Sequence, residues 1–339
     1  MSVIFASSNA ALFGGLIETY SGAAEARDGT VNDEELRILH VSNTSVTVGV
    51  LTLPIAPSTQ TTWLHFRAKF PTESDSGAAD GAFLRFRELP YGGTQSLGGI
   101  DVNNGNLRTY AATGSDYGAE FSLVPGTVYE FDIQITAPAL IGEDYIINMY
   151  VDGVLESTSS ATTGVGGIEP LGVIEFDVFD FMGVSGSGDA RYGYYSDFII
   201  DDTTSTIGKF LVAPALASNG SNTDFSGGYL NLAELDSGTI TGDATDVFTW
   251  NPEDYTGPNT GETCTAVVIQ STGITGASGP TGYTPTVRSG GTNYFGTADS
   301  VGAASQFKAQ EVFSVDPNTA AAWTIANLDA AEFGIRADA

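Results

Sequence analysis

The chain has 339 residues and carries 41 Asp and Glu against 12 Lys and Arg, a formal net charge of −29. Such a polyanion is repelled by a phosphate backbone and by an anionic membrane surface, so neither nucleic acid nor membrane is an expected partner. Hydrophobic residues at 42% and aromatics at 11% supply a real core, which excludes a disordered chain.

The single cysteine, Cys264, excludes an intramolecular disulfide framework and a cysteine-built metal site. Two histidines, His40 and His65, leave little material for imidazole chemistry. The longest apolar runs, 137–142 and 145–151, are far shorter than the roughly 20 residues of a membrane helix. The first ten residues lack the basic start of a secretory leader, so export through a cleaved signal is not expected. Length alone favours two domains.

Along the chain, clusters of Gly, Asn, Asp, Ser and Thr recur about every ten positions, with short period-two runs between them, the pattern of an all-β sandwich. Residues 1–45 are less patterned and read as an N-terminal edge strand or an attachment arm. Over 63–70, Leu64, Phe66, Ala68 and Phe70 share one face of a strand, and Trp63, His65, Arg67 and Lys69 the other. A second strand is predicted over 82–87. Gly99–Val102 and Leu107–Tyr110 form a hairpin closed by the Asn/Gly cluster 103–106.

Over 129–135, Tyr129, Phe131, Ile133 and Ile135 point inward, and Glu130, Asp132 and Gln134 outward. The next hairpin, 145–151 and 154–157, turns on Asp152-Gly153, a pair suited to the positive φ of a type I′ turn. Further strands are predicted over 173–181 and 194–201. The small polar stretch 201–206 is the best boundary, dividing a first β-sandwich at 46–202 from a second at 203–339. Helical periodicity is confined to 327–333, which reads as a helical turn or two or as a loop entering a final strand.

Two constellations could carry chemistry. Glu175-Phe-Asp177-Val-Phe-Asp180 resembles the Glu-x-Asp-x-x-Glu strand of laminarinase-like glucanases, whose paired carboxylates perform retaining glycoside hydrolysis. The sequence departs at Asp180, one methylene short of the acid/base Glu. The favoured reading is a plain strand with Ile174, Phe176 and Val178 buried and its acids solvated. The second constellation is basic and aromatic. Trp63, His65, Arg67 and Lys69 on one strand, with Arg85 and Arg87 beside Phe83 on the next, make a candidate binding face for an acidic glycan or a protein partner. Cross-strand pairing of these bases with Glu130 and Asp132 is the competing, purely structural account.

No metal site is expected from His40 and His65. Structural calcium in the oxygen-rich segments 75–80 or 197–202 has no EF-hand pattern behind it. Cys264, just before Thr265–Ile269, reads as a small buried side chain. Gly164–Gly167 lacks the Lys of a phosphate loop.

From Trp63 to Asp202 the series 63–70, Phe83–Arg87, Gly126–Asp132, Tyr150–Val154 and Tyr194–Asp202 resembles the laminin-G or concanavalin-like lectin jelly roll of phage virion proteins. The C-terminal series Pro285–Tyr294, Val312–Thr324 and Leu328–Ile335 resembles the second β domain of tailed-phage minor tail and virion surface proteins. The resemblance implies an all-β chain of two jelly-roll-like sandwiches. It also implies a non-enzymatic structural protein at the virion surface, in the tail or fibre apparatus or decorating the head.

Such a protein assembles in the host cytoplasm, contacts other virion proteins and its own copies (a trimer among the options), and adds contact with a host-surface glycan. No cofactor is implied. The alternatives are a jelly-roll glycoside hydrolase using Glu175 and Asp180, or a free-standing glycan-binding lectin. Split at residue 202, the acids divide 27 and 14 and the bases 8 and 4, so both halves are acidic, at −19 and −10. The charge is a property of the whole surface, keeping copies apart and soluble.

Overall fold

The computed structural model describes residues 3–7, 17–19, 24–27, 35–41, 49–54, 59–69, 80–88, 96–103, 105–111, 116–124, 126–138, 143–162, 171–177, 190–202, 216–228, 241–255, 264–274, 280–300 and 306–339. The chain divides into two compact units, Met1–Leu211 and Val212–Ala339. With that boundary the first unit holds 27 acids against 9 bases and the second 14 against 3, so both remain strongly acidic.

In the first unit the strands begin with β1 (Val3–Ser7), β2 (Ile17–Thr19), β3 (Ala24–Arg27), β4 (Glu35–Val41) and β5 (Gly49–Pro54). They continue with β6 (Thr61–Lys69), β7 (Asp80–Glu88), β8 (Ser96–Asn103), β9 (Asn106–Ala111), β10 (Asp116–Tyr117) and β11 (Phe121–Ser122). The last are β12 (Val128–Thr136), β13 (Asp144–Val151), β14 (Val154–Thr162), β15 (Leu171–Asp177) and β16 (Ala190–Asp201). Sheet A runs β14-β13-β12-β6-β16-β4-β3, with β1 also beside β16. Sheet B runs β10-β9-β8-β7-β15-β5-β2, with β11 beside β9. The two antiparallel sheets form a jelly-roll-like sandwich. Residues 1–45, read from sequence as an arm or edge strand, contribute β1 to β4 to these sheets.

Period-two alternation decides which side chains fill the space between the sheets. Leu64, Phe66 and Ala68 of β6 meet Phe131, Ile133 and Ile135 of β12, and Ile147, Met149 and Val151 of β13 follow in register. Leu84, Phe86, Ile100, Val102 and Leu107 close the core from sheet B. Phe66 stacks on Phe131 with ring centroids 5.1 Å apart, so the aromatic residues contribute offset packing beyond their buried area. Asp152 and Gly153 have φ of 50° and 80°, the conformation that a type I′ hairpin between β13 and β14 requires.

The second unit is also β. It comprises β17 (Leu216–Thr223), β18 (Val247–Pro252), β19 (Val267–Ile274), β20 (Gly282–Ser289), β21 (Thr292–Phe295), β22 (Asp299–Ser300), β23 (Gln306–Phe313) and β24 (Glu332–Asp338). One sheet runs β17-β18-β24-β20-β21, with β22 beside β20, while β19 and β23 pair separately. Phe333, Ile335 and Ala337 share the inner face of β24. Ile269 and the partly buried Phe313 of the separate pair, together with Trp323, pack against its Phe333 end. The helical signal at 327–333 resolves into α1 (Ile325–Asp329), capped by the Thr324 side chain, and then into β24.

Candidate binding face

The six residues proposed from sequence as one face belong to two sheets. Trp63, His65, Arg67 and Lys69 lie on β6 in sheet A, whereas Arg85 and Arg87 lie on β7 in sheet B. Alternation assigns each residue a side of its own strand and says nothing about which sheet that strand joins. The two basic pairs therefore do not combine into one cationic surface.

The outer face of sheet A is built in register rows. Trp63 stands opposite Gln134, Gln134 opposite Asn148, and Asn148 opposite Thr158. The neighbouring row holds His65, Asp132 and Tyr150, and the next holds Arg67 and Glu130. On the other side of β6, Asp201 stands opposite Trp63 and Ile199 opposite His65. A bulge at Asp197, with φ of 55°, interrupts that pairing.

The two halves of this face differ. Toward β16 it is closed: Trp63 is 7% exposed, His65 1%, Asp201 0% and Asp132 2%. Asp132, read from sequence as solvent-facing, is thus buried. Its carboxylate is hydrogen-bonded to His65 Nδ1 at 3.0 Å. His65 Nε2 is buried and meets no hydrogen-bond partner among the described residues. Trp63 and Tyr150 belong to strands on either side of β12, two strand spacings or roughly 10 Å apart. Their ring centroids nevertheless approach to 5.7 Å, so the rings lean toward each other across β12. The indole is therefore part of the packing and offers no open stacking surface.

Toward β14 the face opens. Asn148 donates to Gln134 Oε1 at 2.8 Å, and Thr158 donates to Asn148 Oδ1 at 2.9 Å, a planar amide and hydroxyl ladder across three strands. Gln134, Asn148 and Tyr150 are half-buried and Thr158 is exposed. Arg67 makes a two-pronged contact with Glu130 Oε1, at 2.8 Å from Nη2 and 3.2 Å from Nε, and its Nη1 lies 3.5 Å from Asp197 Oδ2. The ladder forms no part of the face predicted from sequence. Its signal was the alternation in Ile146-Ile-Asn-Met-Tyr150, which sets Asn148 and Tyr150 opposite the buried Ile147 and Met149.

The carboxylate motif is only partly described. Glu175 lies on β15, opposite Arg85 of β7 and Thr52 of β5. Asp180 lies outside the described residues, as does most of the 75–80 segment considered for calcium. The 197–202 segment, also considered for calcium, is chiefly the end of strand β16 rather than a loop. Among the described residues no group of three or more His, Cys, Asp or Glu is arranged to hold a metal, and no helix is long and apolar enough to cross a membrane. Cys264 is half-buried and donates to the Ala266 carbonyl at 3.4 Å, and burial pushes its thiol upward. It behaves as a packing residue.

No protein-family model matches the chain, and no curated protein matches it in sequence. Among solved structures the chain is similar to several polysaccharide lyases. An endo-β-1,4-glucuronan lyase from the fungus Trichoderma reesei aligns over 60% of this chain and 96% of its own, at 10% identity and a TM-score of 0.44. The alginate lyase vAL-1 from Chlorella virus aligns over 59% and 99%, at 12% identity and a TM-score of 0.43. The PL-14 alginate lyase from Aplysia kurodai aligns over 59% and 99%, at 13% identity and a TM-score of 0.41.

Proposed function

We propose that this chain is a glycan-contacting protein, acting by binding rather than by chemistry, and that the open half of the sheet A face is its contact surface. The observation that carries the reading is the Gln134–Asn148–Thr158 ladder beside the half-buried ring of Tyr150. Amides and hydroxyls fixed in a row match the vicinal hydroxyls of a sugar, and an adjacent aromatic ring offers its C–H-rich face a partner. The one described histidine on this face is 1% exposed, which supports binding over acid–base catalysis.

The setting we propose is the surface of a tailed-phage particle, among other virion proteins and copies of the same chain. The sequence resemblance and the acidity of both units support it. A glycan array probed with the full chain tests the contact surface. Asn148→Ala is expected to weaken the best binder at least tenfold, and an unchanged affinity would sink the assignment. Mass spectrometry of purified particles tests the setting. The chain is expected there in stoichiometric amounts, and its presence only in lysate counts against the proposal.

A further inference from the structure

We infer that the glycan taken by this face is uncharged, the reverse of the acidic glycan that the clustered bases suggest in the sequence; the inference rests on the glycan-contact reading above. Among residues whose side chains are described, the cations on the outer face of sheet A are Arg67 and Lys69. Arg67 is committed to two acids, through the two-pronged contact with Glu130 and the approach to Asp197. Lys69 is half-buried and already engaged in an interaction of its own. Arg85 and Arg87, the other half of the expected cationic patch, belong to the opposite sheet.

Among the described side chains, acids outnumber bases on the same face. Glu130 from β12 and Asp197 from β16 face Arg67, and Asp132 and Asp201 stand opposite His65 and Trp63 in the neighbouring rows, so the described acids leave a net negative field there. An acidic polysaccharide lying across β12 to β14 would bring a carboxylate every sugar unit into that field, with no uncommitted guanidinium among the described side chains to receive it. The open groups are instead neutral: the Gln134 and Asn148 amides, the Thr158 hydroxyl and the Tyr150 ring. Those groups exchange hydrogen bonds with hydroxyls, and such contacts depend little on ionic strength.

The test compares matched oligosaccharides on the full chain by titration calorimetry at about 20 mM and about 300 mM salt. The neutral set is gluco-, manno- and galacto-oligosaccharides, and the acidic set is alginate and polyglucuronate oligosaccharides of equal length. A neutral member is expected to bind at least tenfold more tightly than any acidic one, with an affinity that changes less than twofold between the two salt concentrations. An acidic member binding more tightly, and weakening as salt rises, overturns the inference while leaving the glycan reading intact. Binding by neither set overturns the glycan reading and takes the inference with it.

Discussion

His65 Nδ1 lies 3.0 Å from the Asp132 carboxylate, and both side chains are almost fully enclosed on the face of sheet A that strand alternation makes polar. Ring packing between Trp63 and Tyr150 across β12 lies next to this pair. The pair is therefore a buried polar contact in which each partner compensates the desolvation of the other.

His65→Leu is expected to destabilise the fold by about 3–5 kcal/mol, because it strands a buried carboxylate. The double variant with Asp132→Leu as well is expected to recover most of that loss, since the cost comes from the unpaired group. Urea denaturation of the four proteins of the cycle measures it. If the double variant is as unstable as the sum of the singles, the pair is not coupled and this account is wrong.

The strand pattern around this pair was readable in the sequence, and its surroundings were not. Alternation placed Leu64, Phe66 and Ala68 inside and His65 outside, and β6 obeys it. It likewise placed the β12 core residues, and turn chemistry placed Asp152-Gly153 at the hairpin. Alternation is local, however, and the step from β6 to β7 crosses between sheets, which no period within either strand encodes. Neighbouring strands in sequence usually pair, so Arg67 and Arg85 looked like one surface. Burial of Asp132 escaped for the same reason, since its partners come from β6 and the rings nearby from β6 and β13, brought together only by the fold.

Tyr150 and Trp63 make a second relationship that solution spectroscopy can follow. With the phenol ring removed by Tyr150→Ala, the indole of Trp63 loses a ring at 5.7 Å and gains water. The tryptophan emission is expected to shift to longer wavelength while circular dichroism stays unchanged. Trp250 and Trp323 belong to the second unit and serve as constant background. An unshifted spectrum would mean that the tyrosine does not shelter the indole.

Gly98 of β8 is held at φ of 125°, a conformation costly to any side-chain-bearing residue. A Cβ there would also overlap the Tyr110 carbonyl and lie 2.6 Å from Ile147 Cδ1 across the core. Gly98→Ala is expected to cost about 1–3 kcal/mol in backbone strain alone, with the overlap adding to it. The apparent melting temperature should fall by at least roughly 2 °C for a unit of this size. Gly153→Ala, whose Cβ meets nothing within 4 Å at φ of 80°, should fall less. Equal losses at the two positions would show that contact with Tyr110 and Ile147 contributes nothing.

Acid sensitivity of the second unit should trace to Glu332 and Asp316. Burial acts to raise the Glu332 carboxyl. It is outweighed by the Ser221 hydroxyl at 2.5 Å, the Thr249 hydroxyl at 2.6 Å, the Ser221 N–H at 2.7 Å and the nearby Arg288 guanidinium, so the net displacement is downward. Asp316 follows the same pattern. Burial opposes ionisation there, and donors from Ser289, Asn318, Thr319 and Asn327 prevail.

A carboxyl lowered by folding stabilises the native state above its unfolded value, about 4 for these residues, and that contribution disappears as pH falls through the lower folded value. Glu332→Gln with Asp316→Asn is therefore expected to melt below the wild type at pH 7. The gap should narrow steadily from about pH 4 downward, as the wild-type carboxylates take up protons. Calorimetric scans of both proteins between pH 7 and pH 2.5 decide it, and a gap that stays constant across that range would remove these two carboxylates as the source of acid sensitivity.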